Sequence, residues 1–99
     1  MEYQFEISTR ALAEMQEASI WYEEQSKGLG FRFLTTLQNK LQLIKHYPER
    51  YPKRVLHFRE TFIKPFPYSI IYTFNKNKKR IIIASVFNNS RHPKTKFSK

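Results

Sequence analysis

Apolar and polar residues alternate at the start of the chain. Tyr3, Phe5 and Ile7 share one face of the segment 2–7, the spacing of a half-buried strand. Ser8 or Thr9 can then cap a helix, because either hydroxyl accepts from an orphan N–H of the first turn. Neither has Glu or Gln three residues on, so the full capping box is absent. The period then lengthens. Ala11, Met15, Ala18 and Tyr22, with Leu12 beside them, predict a helix from about Arg10 to Gln25. Glu14, Glu17, Glu23 and Glu24 fall mainly on its water-facing side. Ser26-Lys27-Gly28-Leu29-Gly30 holds both glycines of the chain and breaks the helix. A second helix is predicted from about Phe31 to His46, with Phe33, Leu34, Leu37, Leu41 and Ile44 as its stripe. The short connection implies an antiparallel hairpin.

Pro48 and Pro52 close the helical half, and the period becomes two. Arg54–Glu60 reads as one alternating strand, with Val55, His57 and Arg59 on one face and Leu56, Phe58 and Glu60 on the other. Ser69–Phe74 is rich in β-branched and aromatic residues. Asn75–Lys79 reads as a polar turn, and Arg80–Phe87 as the strongest strand, apolar enough to lie centrally with both faces buried. Asn88–Lys99 is polar and basic, broken by Pro93. The expected fold is α+β in the order β-α-α-β-β-β. The sheet is antiparallel-dominated, with an N-terminal helical hairpin packed on one face. The other face, or one end of the sheet, stays available to a ligand.

Size adds that the 99 residues suit one domain, 1–99, with most apolar residues needed for its core. The absence of Cys excludes disulfides and thiolate metal sites. No run approaches the roughly 20 apolar residues of a membrane helix, and no signal-peptide pattern opens the chain, so a cytoplasmic location is expected.

Charge changes the picture more. The net charge is +10. Residues 1–49 carry five basic residues against seven glutamates, whereas residues 50–99 carry thirteen against Glu60 alone. A half-domain charged this way attracts a polyanion: nucleic acid, an acidic membrane or an acidic protein.

Several chemistries are disfavoured. The chain has no Asp, and its glutamates are not clustered to hold two metals. His46, His57 and His92 lack metal-ligand spacing, and no Gly-rich phosphate loop or nucleophile elbow exists. No cofactor or metal is expected. Chemistry by positive charge remains. RNA is cleaved without metal when the ribose 2′-hydroxyl attacks the adjacent phosphate. That reaction needs a base, cations for the developing charge and an acid for the leaving oxygen. Arg59, Lys64, Arg91 and His92 are of suitable type. Arg59 and Arg91 read equally as solvated residues at strand ends. His57 reads as a partly buried packing residue, Lys76, Lys78, Lys79 and Arg80 as a solvated turn, and Trp21 and Tyr22 as helix-packing residues.

Taken together, the motifs resemble a family. The helical half has Ala11-x-x-Glu14, Trp21-Tyr22 and Gly28-Leu29-Gly30-x-Arg32-Phe33-Leu34. The second half has Tyr47-Pro48, Tyr51-Pro52, Arg59, Phe66-Pro67-Tyr68-x-Ile70-Ile71-Tyr72, Ile83-x-x-Val86 and Arg91-x-Pro93. This order and spacing resembles the RelE/ParE superfamily of type II toxins, sometimes described as plasmid-stabilisation proteins. The resemblance implies a bacterial growth inhibitor neutralised by a protein antitoxin with an acidic, initially disordered segment. It implies one of two targets. RelE-like members are metal-independent endoribonucleases that cleave mRNA in the ribosomal A site. ParE-like members bind and poison DNA gyrase and are not enzymes. Residue by residue, the resemblance carries catalytic roles to Arg59, Arg91 and His92. It carries nucleic-acid or target contacts loosely to Lys53, Arg54 and Lys64, and Arg80 and Lys94 of the same basic half are further candidates for such contacts. The terminal aromatic is Phe97, which has no hydroxyl, and the Trp21-Tyr22 and Gly28-Leu29-Gly30 hairpin resembles the ParE branch. Charge alone would also fit a non-toxic basic nucleic-acid-binding module.

Overall fold

The computed structural model describes residues 3–91 and 96–97. A strand β1 (Gln4–Ile7) leads into helices α1 (Thr9–Gln25) and α2 (Leu29–His46), followed by strands β2 (Lys53–Val55), β3 (Phe58–Phe62), β4 (Tyr68–Asn75) and β5 (Arg80–Asn88). The sheet order is β1-β5-β4-β3-β2. β1 pairs with β5 in parallel and the other pairings are antiparallel, so the sheet is mixed. Among the described residues no helix is long and apolar enough to cross a membrane.

Local chemistry sets the helix boundaries. Ser8 caps α1, its hydroxyl oxygen accepting from the Ala11 N–H at 3.0 Å. The hairpin turn is fixed from α1: the Glu23 carboxylate accepts from the N–H of Gly28 at 2.9 Å and of Gly30 at 3.0 Å. It thereby serves the orphan donors at the start of α2, where negative charge is favoured. Gly28 takes φ +88°, and a Cβ on Gly30 would stand 2.5 Å from the Ser19 carbonyl oxygen. Glycine at position 30 therefore lets the helices approach. α2 starts at Leu29, two residues earlier than the apolar stripe indicates, because this capping lies outside the stripe.

The segment 54–60 is not one strand. Leu56 has φ +53° and turns the chain, so β2 and β3 form a hairpin and the sheet gains a fifth strand. Alternation survives only from Phe58 onward. Arg59 pairs with Tyr72 across β3 and β4. Between Ile71 and Tyr72 the β4–β5 register shifts, leaving Ala84 as the extra residue of a bulge. The bulge explains how Ile83 and Val86, three apart, both join the core under the helices. Its free groups are served by α1: the Ser8 hydroxyl donates to the Ala84 carbonyl at 2.9 Å, and Glu14 accepts from the Val86 N–H at 2.9 Å and the Ser85 hydroxyl at 2.7 Å.

Two apolar clusters result. Ala11, Met15, Ala18 and Tyr22 of α1 and Phe33, Leu37, Leu41 and Ile44 of α2 pack on Ile70, Tyr72, Ile81, Ile83 and Val86. On the opposite face, Phe58, Ile71 and Phe87 form a smaller cluster with Ala84 and Phe97. Leu12 and Leu34, flanking the helical stripes, stay partly exposed.

Candidate functional site

Among the described residues the cations singled out by sequence do not form one cluster, although Lys53 stands opposite Arg59 across β2 and β3. Lys53 is exposed on β2, and Lys64 is exposed in the β3–β4 connection. Arg54 sits with its Nε 3.6 Å from Glu60. Arg80 belongs to β5 rather than to the preceding turn, and its guanidinium pairs with Glu6 at 2.7 Å. His92 and Lys94 lie outside the described residues.

Arg59 is engaged within the fold. Its place opposite Tyr72 turns it to the helix side of the sheet, and its Nη1 donates to the carbonyls of Tyr51 at 2.7 Å and Glu49 at 3.3 Å. Beside it the Tyr72 hydroxyl donates to the Pro48 carbonyl at 2.7 Å. Together they pin the α2–β2 connection. Burial pushes the Tyr72 phenol up to about 12, with Arg59 acting in the opposite direction. Near neutral pH this hydroxyl is a donor and not a base.

Arg91 lies elsewhere. Its backbone follows Asn88, which pairs with Tyr68, whereas Arg59 pairs with Tyr72. Four residues of β4 separate these levels, about 13 Å at the usual rise of a strand. Arg91 forms an exposed ion pair with Glu17 of α1 at 3.4 Å. The two face a hollow of about 340 Å³ between α1 and the β4–β5 end, lined also by Trp21, Tyr22, Pro67 and Tyr68. Tyr22 packs on Phe33 and Phe66, but Trp21 is 54% exposed in this hollow. The Tyr68 phenol is raised by burial first and by Tyr22 next, with Arg91 pulling it down. The Tyr68 hydroxyl beside Arg91 therefore stays protonated near neutral pH.

The face of the sheet away from the helices carries two adjoining hollows. One, of about 260 Å³, has Phe58, Ile82 and Ala84 as an apolar floor, with Arg10 and His57 at its edges. The next, of about 400 Å³, is bordered by His57, Lys76, Lys78 and Arg80. His57 is exposed and stacks on Phe58 at 4.7 Å, a position outside the core contrary to its sequence reading. An apolar floor with a cationic end suits binding of an acidic, partly apolar segment.

Sequence reasoning missed the polar residues that do the holding. Glu14 and Glu23 read as water-facing, yet Glu14 serves the bulge and Glu23 caps α2; Glu60, read only as sharing a strand face with Leu56 and Phe58, is 5% exposed. The signal for Glu23 is its place five residues before Gly28; Glu14 has none, because its partners Ser85 and Val86 lie more than seventy residues away. Nothing local marked Glu60. Among the described residues no cluster of His, Cys, Asp or Glu is able to hold a metal.

Solved structures show the same fold. A chain of the chromosomal ParDE toxin–antitoxin system from P. aeruginosa is 15% identical, with TM-score 0.63 over 88% of this chain and 96% of that one. A chain of the archaeal RelE–RelB complex from Pyrococcus horikoshii OT3 is 15% identical, with TM-score 0.60 over 93% of this chain and 100% of that one. A chain of the YoeB dimer from Staphylococcus aureus is 16% identical, with TM-score 0.59 over 87% and 95%. No curated protein sequence matches significantly. Residues 5–93 match the family described as the ParE toxin of the type II toxin–antitoxin system parDE, and the chain therefore belongs to that family, within the RelE/ParE toxins.

Proposed function

We propose that this toxin arrests growth by binding DNA gyrase, and that it does not cleave mRNA. The observation that carries the reading is the separation of Arg59 from Arg91. Cleavage of RNA needs cations and a proton-transfer group around one phosphate. Here one arginine is bonded to main-chain carbonyls, the other is paired with Glu17, and about 13 Å of strand separates their levels. Membership of the ParE branch supports the same reading.

The chain acts under a cognate antitoxin. The similar structures come from a ParDE system and a RelE–RelB complex. The excess of cations beyond residue 50 favours an antitoxin segment that is acidic and folds on binding. Lys53 and Lys64, both exposed, steer its approach and contribute contacts with the target.

The test induces the chain without antitoxin and follows mRNA 5′ ends and plasmid supercoiling in parallel, with purified protein assayed on gyrase. Growth arrest with intact transcripts and inhibited supercoiling is expected. Codon-phased cleavage of translated mRNA, with gyrase unaffected at saturating protein, would replace this reading by the ribonuclease one.

A further inference from the structure

Glu60 is a buried carboxylate on the open face of the sheet, with its side chain 4% exposed. Arg54 reaches only Oε1, at 3.6 Å, from a half-exposed position. The other oxygen, Oε2, meets the ammonium of Lys96. That ammonium also stands 5.8 Å from the ring centres of Phe62 and Phe87 and 5.9 Å from that of Phe97. Its side chain is 17% exposed. Phe97 in turn packs 6.2 Å from Phe58.

We propose that Glu60, Phe62 and Phe87 form a binding site for a primary ammonium group, and that Lys96 of the same chain is its occupant. Three features select this ligand. A carboxylate at the base demands a cation, since a buried unpaired charge is strongly disfavoured. Ring faces attract a cation within about 6 Å whatever its head group, so the choice of a primary ammonium rests with the carboxylate, which takes an N–H donor that a quaternary ammonium lacks. The apolar walls also receive the methylene stem of a lysine. The carboxylate and two of the walls belong to the sheet, whereas Phe97 arrives with the ligand. Lys96 and Phe97 thus act as an intramolecular ligand, bound by virtue of high effective concentration. Phe97 covers Phe58, and the Lys96 ammonium supplies the counter-charge of Oε2.

The experiment uses the purified full chain and its Lys96→Ala and Lys96→Met variants in thermal denaturation. Both variants are expected to melt lower by roughly 5 °C or more. Lys96→Met keeps the stem, so it reads the charge separately from the packing. Adding n-propylammonium chloride should raise the Tm of Lys96→Ala, because a ligand that binds only the folded state stabilises it. Sodium chloride and tetramethylammonium chloride at matched ionic strength should not, and the wild type should not respond. The response should vanish when Glu60→Gln is added to Lys96→Ala. Variants that melt with the wild type would overturn the proposal. So would equal effects of all three salts, or an ammonium-specific rise that survives Glu60→Gln. If Lys96→Ala does not fold, the Lys96→Met and Glu60→Gln single variants decide by the same criteria.

Discussion

The two faces of the sheet use their polar residues in opposite ways. Under the helical hairpin, polar side chains hold the backbone: Glu14 the bulge, Glu23 the hairpin turn, and Arg59 and Tyr72 the connection before β2. On the open face, cations border hollows, and the apolar cluster is small. The difference teaches where function is to be sought. A basic residue tied to carbonyls belongs to the scaffold whatever its family position, whereas the exposed Lys78 at the rim of a hollow faces solvent, where a partner can reach it.

The comparison breaks first on packing. Phe33, fully buried under the hairpin, should cost about 3–5 kcal/mol on truncation to Ala, and Phe58 on the open face clearly less, as measured by urea unfolding. Equal losses would mean that the open face carries as much of the core as the helical one. Next, Gly30→Ala should destabilise by about 1–3 kcal/mol, since the new Cβ meets the Ser19 backbone, outweighing the gain in helix propensity. A neutral result would show that the hairpin tolerates separation. Arg59→Ala should lower stability by about 1.5–3 kcal/mol, as loss of hydrogen bonds from a charged group does. A variant that keeps its stability but loses toxicity would return Arg59 to the functional surface.

Tyr72 gives a pH test of the same contrast. Its phenol rises from 10.0 to about 12 on folding, so the folded state holds the proton more tightly. The resulting stabilisation is complete below pH 10 and disappears as pH climbs toward 12. Tyr72→Phe should lose about 1 kcal/mol at neutral pH through the missing bond to Pro48, and show a shallower decline across that alkaline window. The smallest effect belongs to the rim. Lys53→Glu with Lys64→Glu should leave stability within about 0.5 kcal/mol while slowing association with an acidic antitoxin segment, measured by stopped flow at low salt.

Much of this contrast was readable in the sequence and some was not. The strides of Ala11, Met15, Ala18 and Tyr22, and of Phe33, Leu37, Leu41 and Ile44, marked the helical face because burial repeats with the helix period. Ser8 was legible as a cap, since capping is local. The division at Leu56 was not, because a left-handed leucine breaks the usual preference for Gly, Asn or Asp at such a turn. The roles of Arg59 and Glu60 were hidden for another reason. Their partners lie 8 and 10 residues before Arg59, and far along the chain at Lys96 for Glu60, and no periodicity links such pairs.

The parallel pairing of β1 with β5 has a temporal meaning as well. Gln4–Ile7 leaves the ribosome more than seventy residues before its partner Arg80–Ile83. The bulge that completes the capping of α1 at Ser8 and Glu14 lies later still, at Ala84 to Val86. β1 therefore has no partner until β5 has been made, and contacts of this sequence separation close late. Strands β2, β3 and β4 can pair with one another before then, so the five-stranded sheet is completed by the pairings of β5 with β4 and with β1.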